Sequence, residues 1–260
     1  MRPGLLLALI AMACAPAPAM ADVTARYRIS EGQTILIEAS DDGHGRFTPE
    51  GEGAQGGYAV FTPEDSFLVF TEQGVTRVIR FADFRAALDA VIEQALAQVG
   101  GAGAIEAADP VSAAPAEARL ETAGRSEVNG RSGIIYRDRT AEADMRDFVI
   151  SDDPALAPVG RIFAKILTET PMLGNMIGGA GADWKRELAA LLDKGAALRL
   201  GEASLESMAS EEIPAERFGL PSAPISREEF QRLLLNRQQG AGPAVVNSAE
   251  VEPAEAQIGD

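Results

Sequence analysis

From Val23 to Phe81 the chain is a succession of short apolar runs joined by turns of a few residues. Connections that short permit only antiparallel neighbours, because a parallel return needs a crossover of about a dozen residues. Val23–Ser30 sets the pattern. Val23, Ala25, Tyr27 and Ile29 share one face, and Thr24, Arg26, Arg28 and Ser30 share the other, the alternation of a strand with one wet side. Glu31-Gly32 turns the chain into Gln33–Ser40, and Asp41-Asp42-Gly43-His44-Gly45 makes the next turn. Thr48–Gly57 reads as loop. Tyr58–Thr62, Ser66–Thr71 and Val75–Phe81 complete a meander of about five strands, with Glu72-Gln73-Gly74 as a hairpin loop.

Asp83 is placed to cap a helix over residues 84–99. Phe84, Leu88, Val91, Ala95 and Val99 recur at helical spacing, widened by Ile92 and Leu96, while Arg85, Asp89 and Glu93 lie opposite. Gly100-Gly101 ends it. Each larger apolar side chain of the stripe gains about 1.5–3 kcal/mol on burial, so the stripe predicts a helix docked on the sheet. Residues 100–118 are rich in Ala, Gly and Pro with little apolar bulk, the composition of a long loop. That loop is expected to cross a single domain over residues 22–236, since neither flank alone holds a closed set of strands and helices.

Beyond a short strand at Arg119–Thr122, Asn129-Gly130 is a turn whose glycine accepts positive φ. It opens onto Arg131–Arg139 and Met145–Ser151, two strands joined by a charged turn, Thr140–Asp144. This hairpin is expected mid-sheet, with helices laid on one face. Val159, Ile162, Phe163, Ile166 and Leu167 mark a second helix, ended by Pro171. Asp183 is placed to cap a third, Trp184–Lys194, with Trp184, Leu188, Leu191 and Leu192 on one face and Gly195 at its end. Ala197–Leu200 and Ser204–Ser210 read as closing strands. Ser226 and Glu229 form a capping box for a final helix to about Asn236, and residues 237–260 read as a disordered acidic tail. The fold class is α+β, a curved antiparallel sheet (half-barrel) with helices packed on one face.

Residues 1–21 carry the signature of an export signal: Arg2, an apolar run over 5–13, and Ala19-Met20-Ala21 before the cut. The run is too short to span a bilayer, and the mature chain is expected to have no transmembrane segment. Cleavage after Ala21 removes Cys14, the one cysteine, and excludes disulfide chemistry. The rival processing makes Cys14 an acylated N-terminal residue, a lipid anchor. With 39 acidic against 23 basic residues, the chain is a poor partner for nucleic acid, whose affinity comes mostly from neutralised phosphates. The acidity suits a soluble exported protein.

The residues give no catalytic or cofactor motif. His44 is the single histidine and sits in a Gly/Asp turn, where solvation is the default; a metal site with Asp41 and Asp42 would be three side chains of one loop, seldom enough unaided. Gly179-Ala180-Gly181-Ala182-Asp183-Trp184 fails the dinucleotide pattern at the third glycine. No catalytic, metal or cofactor residue is assigned, and the protein is read as a non-enzyme. The connection after Pro171 is different: Met172, Leu173, Met176 and Ile177 cluster among glycines. They are the candidate lining of an apolar ligand site, because Met adapts to irregular shapes; the alternative role is to pin two helices to the core.

The order of elements, the Glu127-Val128-Asn129-Gly130 entry to a strand ending Tyr136-Arg137-Asp138-Arg139, the extended run to Ser151 and the closing Phe218-Gly219-Leu220-Pro221 together resemble the LolA-like periplasmic half-barrel proteins and their uncharacterised relatives. The resemblance covers residues 23–235. It implies a curved antiparallel sheet with helices on its concave face and an apolar cavity between them, used in the family for lipid or lipoprotein handling. The family's basic ligand-handling residues cannot be placed in this sequence, so no site is carried over. The expected function is that of a periplasmic, non-enzymatic protein binding an apolar ligand or an envelope partner. The alternative is a structural or interaction protein of the envelope with no cavity.

Overall fold

The computed structural model describes residues 22–30, 32–51, 56–99, 120–138, 147–169 and 182–240. Among the described residues eleven strands form one antiparallel sheet that curves without closing. The first half supplies β1 Val23–Ser30, β2 Gln33–Ala39, β3 Gly45–Gly51, β4 Tyr58–Phe61, β5 Ser66–Glu72 and β6 Val75–Arg80. The second supplies β7 Leu120–Val128, β8 Arg131–Asp138, β9 Asp147–Ile150, β10 Ala197–Leu200 and β11 Ala203–Ser210. The spatial order is β6-β5-β4-β3-β2-β1-β11-β10-β9-β8-β7. Each half is therefore a meander, and the two are zipped together where β1 pairs with β11, Tyr27 facing Leu205.

Three sequence expectations change. Residues 48–57 are not simply loop, because 45–51 form β3. Pro49 hides that strand from a propensity argument. It is tolerated because β3 pairs with β4 only from Gly45 to Phe47, leaving one side of Pro49 without a ladder to interrupt. The strand at 119–122 is really nine residues long and ends at Val128. Its pairing with β8 supplies what its polar sequence does not advertise. The hairpin β8–β9 consequently lies toward the β7 edge, and the middle of the sheet is the β1–β11 seam. The turn at 140–144 lies outside the described residues.

Among the described residues four helices accompany the sheet: α1 Phe81–Val99, α2 Ala157–Glu169, α3 Ala182–Leu192 and α4 Arg227–Gly240. The stripe expected on α2 is buried throughout, from Val159 to Leu167. It packs on β1, β2 and β3, where Tyr27 meets Phe163 edge to face at 4.9 Å. That contact defines the inner face of the sheet: Val23, Ala25 and Tyr27 on β1, and Ile35, Ile37 and Ala39 on β2, all in one apolar cluster with Ile162, Ile166, Leu188 and Leu192. α3 docks on α2. Gly160 permits it, since a Cβ there would stand 1.6 Å from the Gly195 carbonyl oxygen and 2.0 Å from that of Leu192.

Two caps move. α1 begins at Phe81, directly after β6, so Asp83 sits in its first turn and not at its cap. α3 begins at Ala182, so Asp183 lies inside the helix. For α1 the preceding strand β6, which ends at Arg80, fixes where the helix starts. The buried centre of α1 is also rotated from the expected stripe: Ala87 and Val91 are buried, Leu88 is half-buried and Ile92 is half exposed. α4 is the reason. It packs along α1 over Ile79 and puts Phe230 against Phe84 at 5.4 Å and Phe70 at 5.7 Å. Half of the capping box forms, with Glu229 N–H donating to Ser226 Oγ at 3.2 Å. The Glu229 carboxylate instead reaches Arg77 at 3.0 Å. α4 runs to Gly240, past the expected end at Asn236, so 237–240 do not belong to the tail. The tail from 241, the signal segment and the loop of 100–118 lie outside the described residues.

Candidate functional site

Between β11 and α4 the chain runs as a strap over the outer face of the first meander. Ile213 is buried, and the 3-10 turn Ala215–Phe218 packs on β3. Arg217 forks onto Glu38 with bonds of 2.8 and 2.6 Å, and Glu38 is nearly buried. Arg46 lies over the Tyr58 ring at 3.8 Å and donates to the Arg217 carbonyl. Leu220 closes over Val60, Phe67, Val69 and Val78. The strap then rounds the β6 edge, where Ile225 N–H donates to Val78 O at 2.8 Å.

Where the strap leaves β11, a groove of about 540 Å³ opens between it and the 41–44 turn. Asp22, Ser40, Asp41, Asp42 and His44 form one wall, and Ile213, Ala215 and Phe218 the other. Ser, His and Asp thus come together, but in an order unlike a nucleophile site. Asp42 lies between the other two: Ser40 Oγ donates to Asp42 Oδ1, and His44 Nδ1 lies 2.9 Å from the same oxygen. No imidazole nitrogen is bonded to the hydroxyl, the contact that would activate it. The Ser40 bond, followed by that of His44, lowers the Asp42 carboxyl to about 2. Asp41 is engaged by Arg161, and the Asp22 carboxylate accepts from Ile213 N–H at 2.9 Å. These contacts hold the turn and the strap together. No group of three or more metal-ligating side chains occurs among the described residues.

A second region is apolar. Along β8 and β9, Ile134 faces Ile150 and Tyr136 faces Phe148. Phe148 and Ile150 are buried in the main cluster, whereas Ile134 and Tyr136 are only half-buried. Leu120, at the start of β7, is half-buried too, and its N–H donates to Glu187 of α3 at 3.0 Å. Burial among the described residues is thus uneven: complete under α2, partial toward the β7 edge. Met172, Leu173, Met176 and Ile177, the candidate lining, belong to the connection between α2 and α3 and lie outside the described residues. The half-buried row on β7 and β8 was missed by sequence reasoning, because β7 reads as a short strand ending at Thr122 and the strand from Arg131 is expected mid-sheet, not next to the edge. No described helix is long and apolar enough to cross a membrane. Comparison with protein-family models, with curated proteins and with solved structures finds no match.

Proposed function

We propose that this is an exported envelope protein that binds an apolar ligand, of lipid or lipoprotein-like character, against the β7–β9 end of its curved sheet, without catalysing a reaction on it. One observation carries the reading: Ile134, Tyr136 and Leu120 are only half-buried, next to a core that is tightly filled beneath α2. Apolar area left uncovered beside a rigid sheet is where burial of a ligand gains free energy without reorganising the fold. Export rests on residues 1–21, and the LolA-like resemblance agrees with an open sheet bearing helices on one face. The alternative, a purely structural envelope protein, has the same fold with that row covered by the chain itself.

Native mass spectrometry of the mature protein tests the reading, together with titration of a fluorescent fatty acid. Saturable uptake that Tyr136→Asp abolishes, with the thermal midpoint kept within a few degrees, is the expected result. A wild-type protein that carries no lipid and takes up no probe sinks it.

A further inference from the structure

The chain is acidic, and its arginines are mostly spent on carboxylates: Arg26 on Glu50 at 2.8 Å, Arg137 on Asp147 at 2.9 Å, Arg217 on Glu38 at 2.6 Å. Two at the centre of the sheet are not. Arg28 on β1 pairs in register with Ser204 on β11, and Ser204 pairs with Arg199 on β10. Register partners of an antiparallel sheet project from the same face, so Arg28, Ser204 and Arg199 form one row across three strands. It is the outer face, since Arg28 alternates with the inner-facing Tyr27 and Ile29. Neither arginine has an ion-pair partner among the described residues, and the Ser204 hydroxyl has no hydrogen-bond partner among them. Arg28 is exposed; Arg199 and Ser204 are half-buried.

We infer that this row is a binding site for a tetrahedral oxyanion of the phosphate class. Strands lie about 4.8 Å apart, so the two arginine backbones stand about 10 Å apart with the serine between them. Guanidinium side chains of that reach can converge above the hydroxyl, each presenting a two-pronged donor to the oxygens of one anion. Arg26, two residues along β1 on the same face, adds no net charge, because its head is held by Glu50. Glu50 stands in register with Thr34, the β2 partner of Arg28, and is committed to Arg26. The acidic neighbours do not cancel the pair. Asp147, whose carboxyl is lowered chiefly by its bond to Arg137 and to a smaller extent by the charge of Arg199, is committed to Arg137. Glu206 lies in the irregular step between the Arg26 and Tyr27 pairings and makes no ion pair with either arginine. Like charges gathered on a sheet face are unfavourable unless something neutralises them, and a dianion does so. The strap covers the outer face over the first meander, with its contacts on β3 and the β4–β6 cluster. The site lies on the face opposite α2 and is independent of the apolar reading.

The test is titration of the mature protein with inorganic phosphate, read by NMR shifts and calorimetry at low salt. Saturable binding is expected, at least about tenfold weaker in Arg28→Gln and in Arg199→Gln, with Arg125→Gln unchanged because that guanidinium is already engaged by Asp152. Arg28→Lys, which keeps the charge and loses the fork, should fall between. Recruitment to vesicles containing phosphatidic acid, lost in the same variants, assigns the anion to a lipid headgroup; binding of glycerol phosphate without recruitment assigns it to a soluble ester. Absence of saturation in the wild type overturns the site. So does equal weakening by Arg125→Gln, or acetate bound as tightly as phosphate.

Discussion

Tyr27 donates its hydroxyl to the carbonyl of Ala197 at 2.8 Å, across 170 residues of chain. Its ring is wholly buried against Phe163, and burial pushes the phenol far above its usual range, so it stays a neutral donor. This bond ties β1 to β10 over the seam at which the two meanders meet. Tyr27→Phe leaves the ring packing and removes the donor from a buried carbonyl. It should cost about 1–3 kcal/mol, measured by urea unfolding with an unchanged m-value. A change below about 0.3 kcal/mol would mean that Ala197 finds another donor.

Gly160 holds α2 at backbone distance from the end of α3, against the carbonyls of Leu192 and Gly195. Alanine in mid-helix normally stabilises relative to glycine, by about 1 kcal/mol. Here the sign should reverse: Gly160→Ala should destabilise by about 3 kcal/mol or more, because its Cβ meets carbonyl oxygens that cannot yield as a side chain would. Thermal unfolding checks it, and a stabilised variant would mean that α3 does not sit where described.

Glu38 is the nearly buried acid beneath the strap, and Arg217, itself over a third exposed, forks onto it. Arg217→Met should cost about 1–3 kcal/mol, less than for a fully buried pair because water still reaches the guanidinium side. Glu38→Gln with Arg217→Met should recover part of the loss. Limited proteolysis within 211–226 should accelerate in the single mutant and not in the double.

The acid limb of stability should carry a small contribution from Asp42. Its folded pKa of about 2 lies below the usual carboxylate value. The stability it lends is thus present above about pH 4 and fades as pH falls toward 2. Asp42 is largely exposed, so the contribution is under about 1 kcal/mol. Asp42→Asn should make the loss of stability between pH 4 and 2 shallower. Ser40→Ala should move the Asp42 titration upward by NMR, because the serine bond is the largest cause of its depression.

α1 offers a test of orientation. Ala87 is buried beside Ile79 and Phe230, so Ala87→Asp places an unpaired charge in apolar surroundings and should unfold the α1–α4 corner. Asp89→Ala, on the exposed side, should change stability by less than about 0.5 kcal/mol. Circular dichroism and denaturant titration separate the two.

The sequence by itself determined the local pieces. Period-two alternation on β1, the apolar stripe on α2 and the short turns of the first meander depend on neighbours a few residues away, and they appear where the spacing puts them. Tertiary structure decided the rest. β3 and β7 carry proline, glycine and charge that argue against strands, and they are strands because a partner lies alongside: ladder hydrogen bonds override weak propensity. The join of β1 to β11 and the strap over the outer face bring together residues far apart in the chain, which no periodicity encodes. Pairing register placed Arg28, Ser204 and Arg199 in one row, and α4 turned the buried side of α1 toward Ala87. Burial along a helix follows what lies against it, and a row across strands exists only once the register is set.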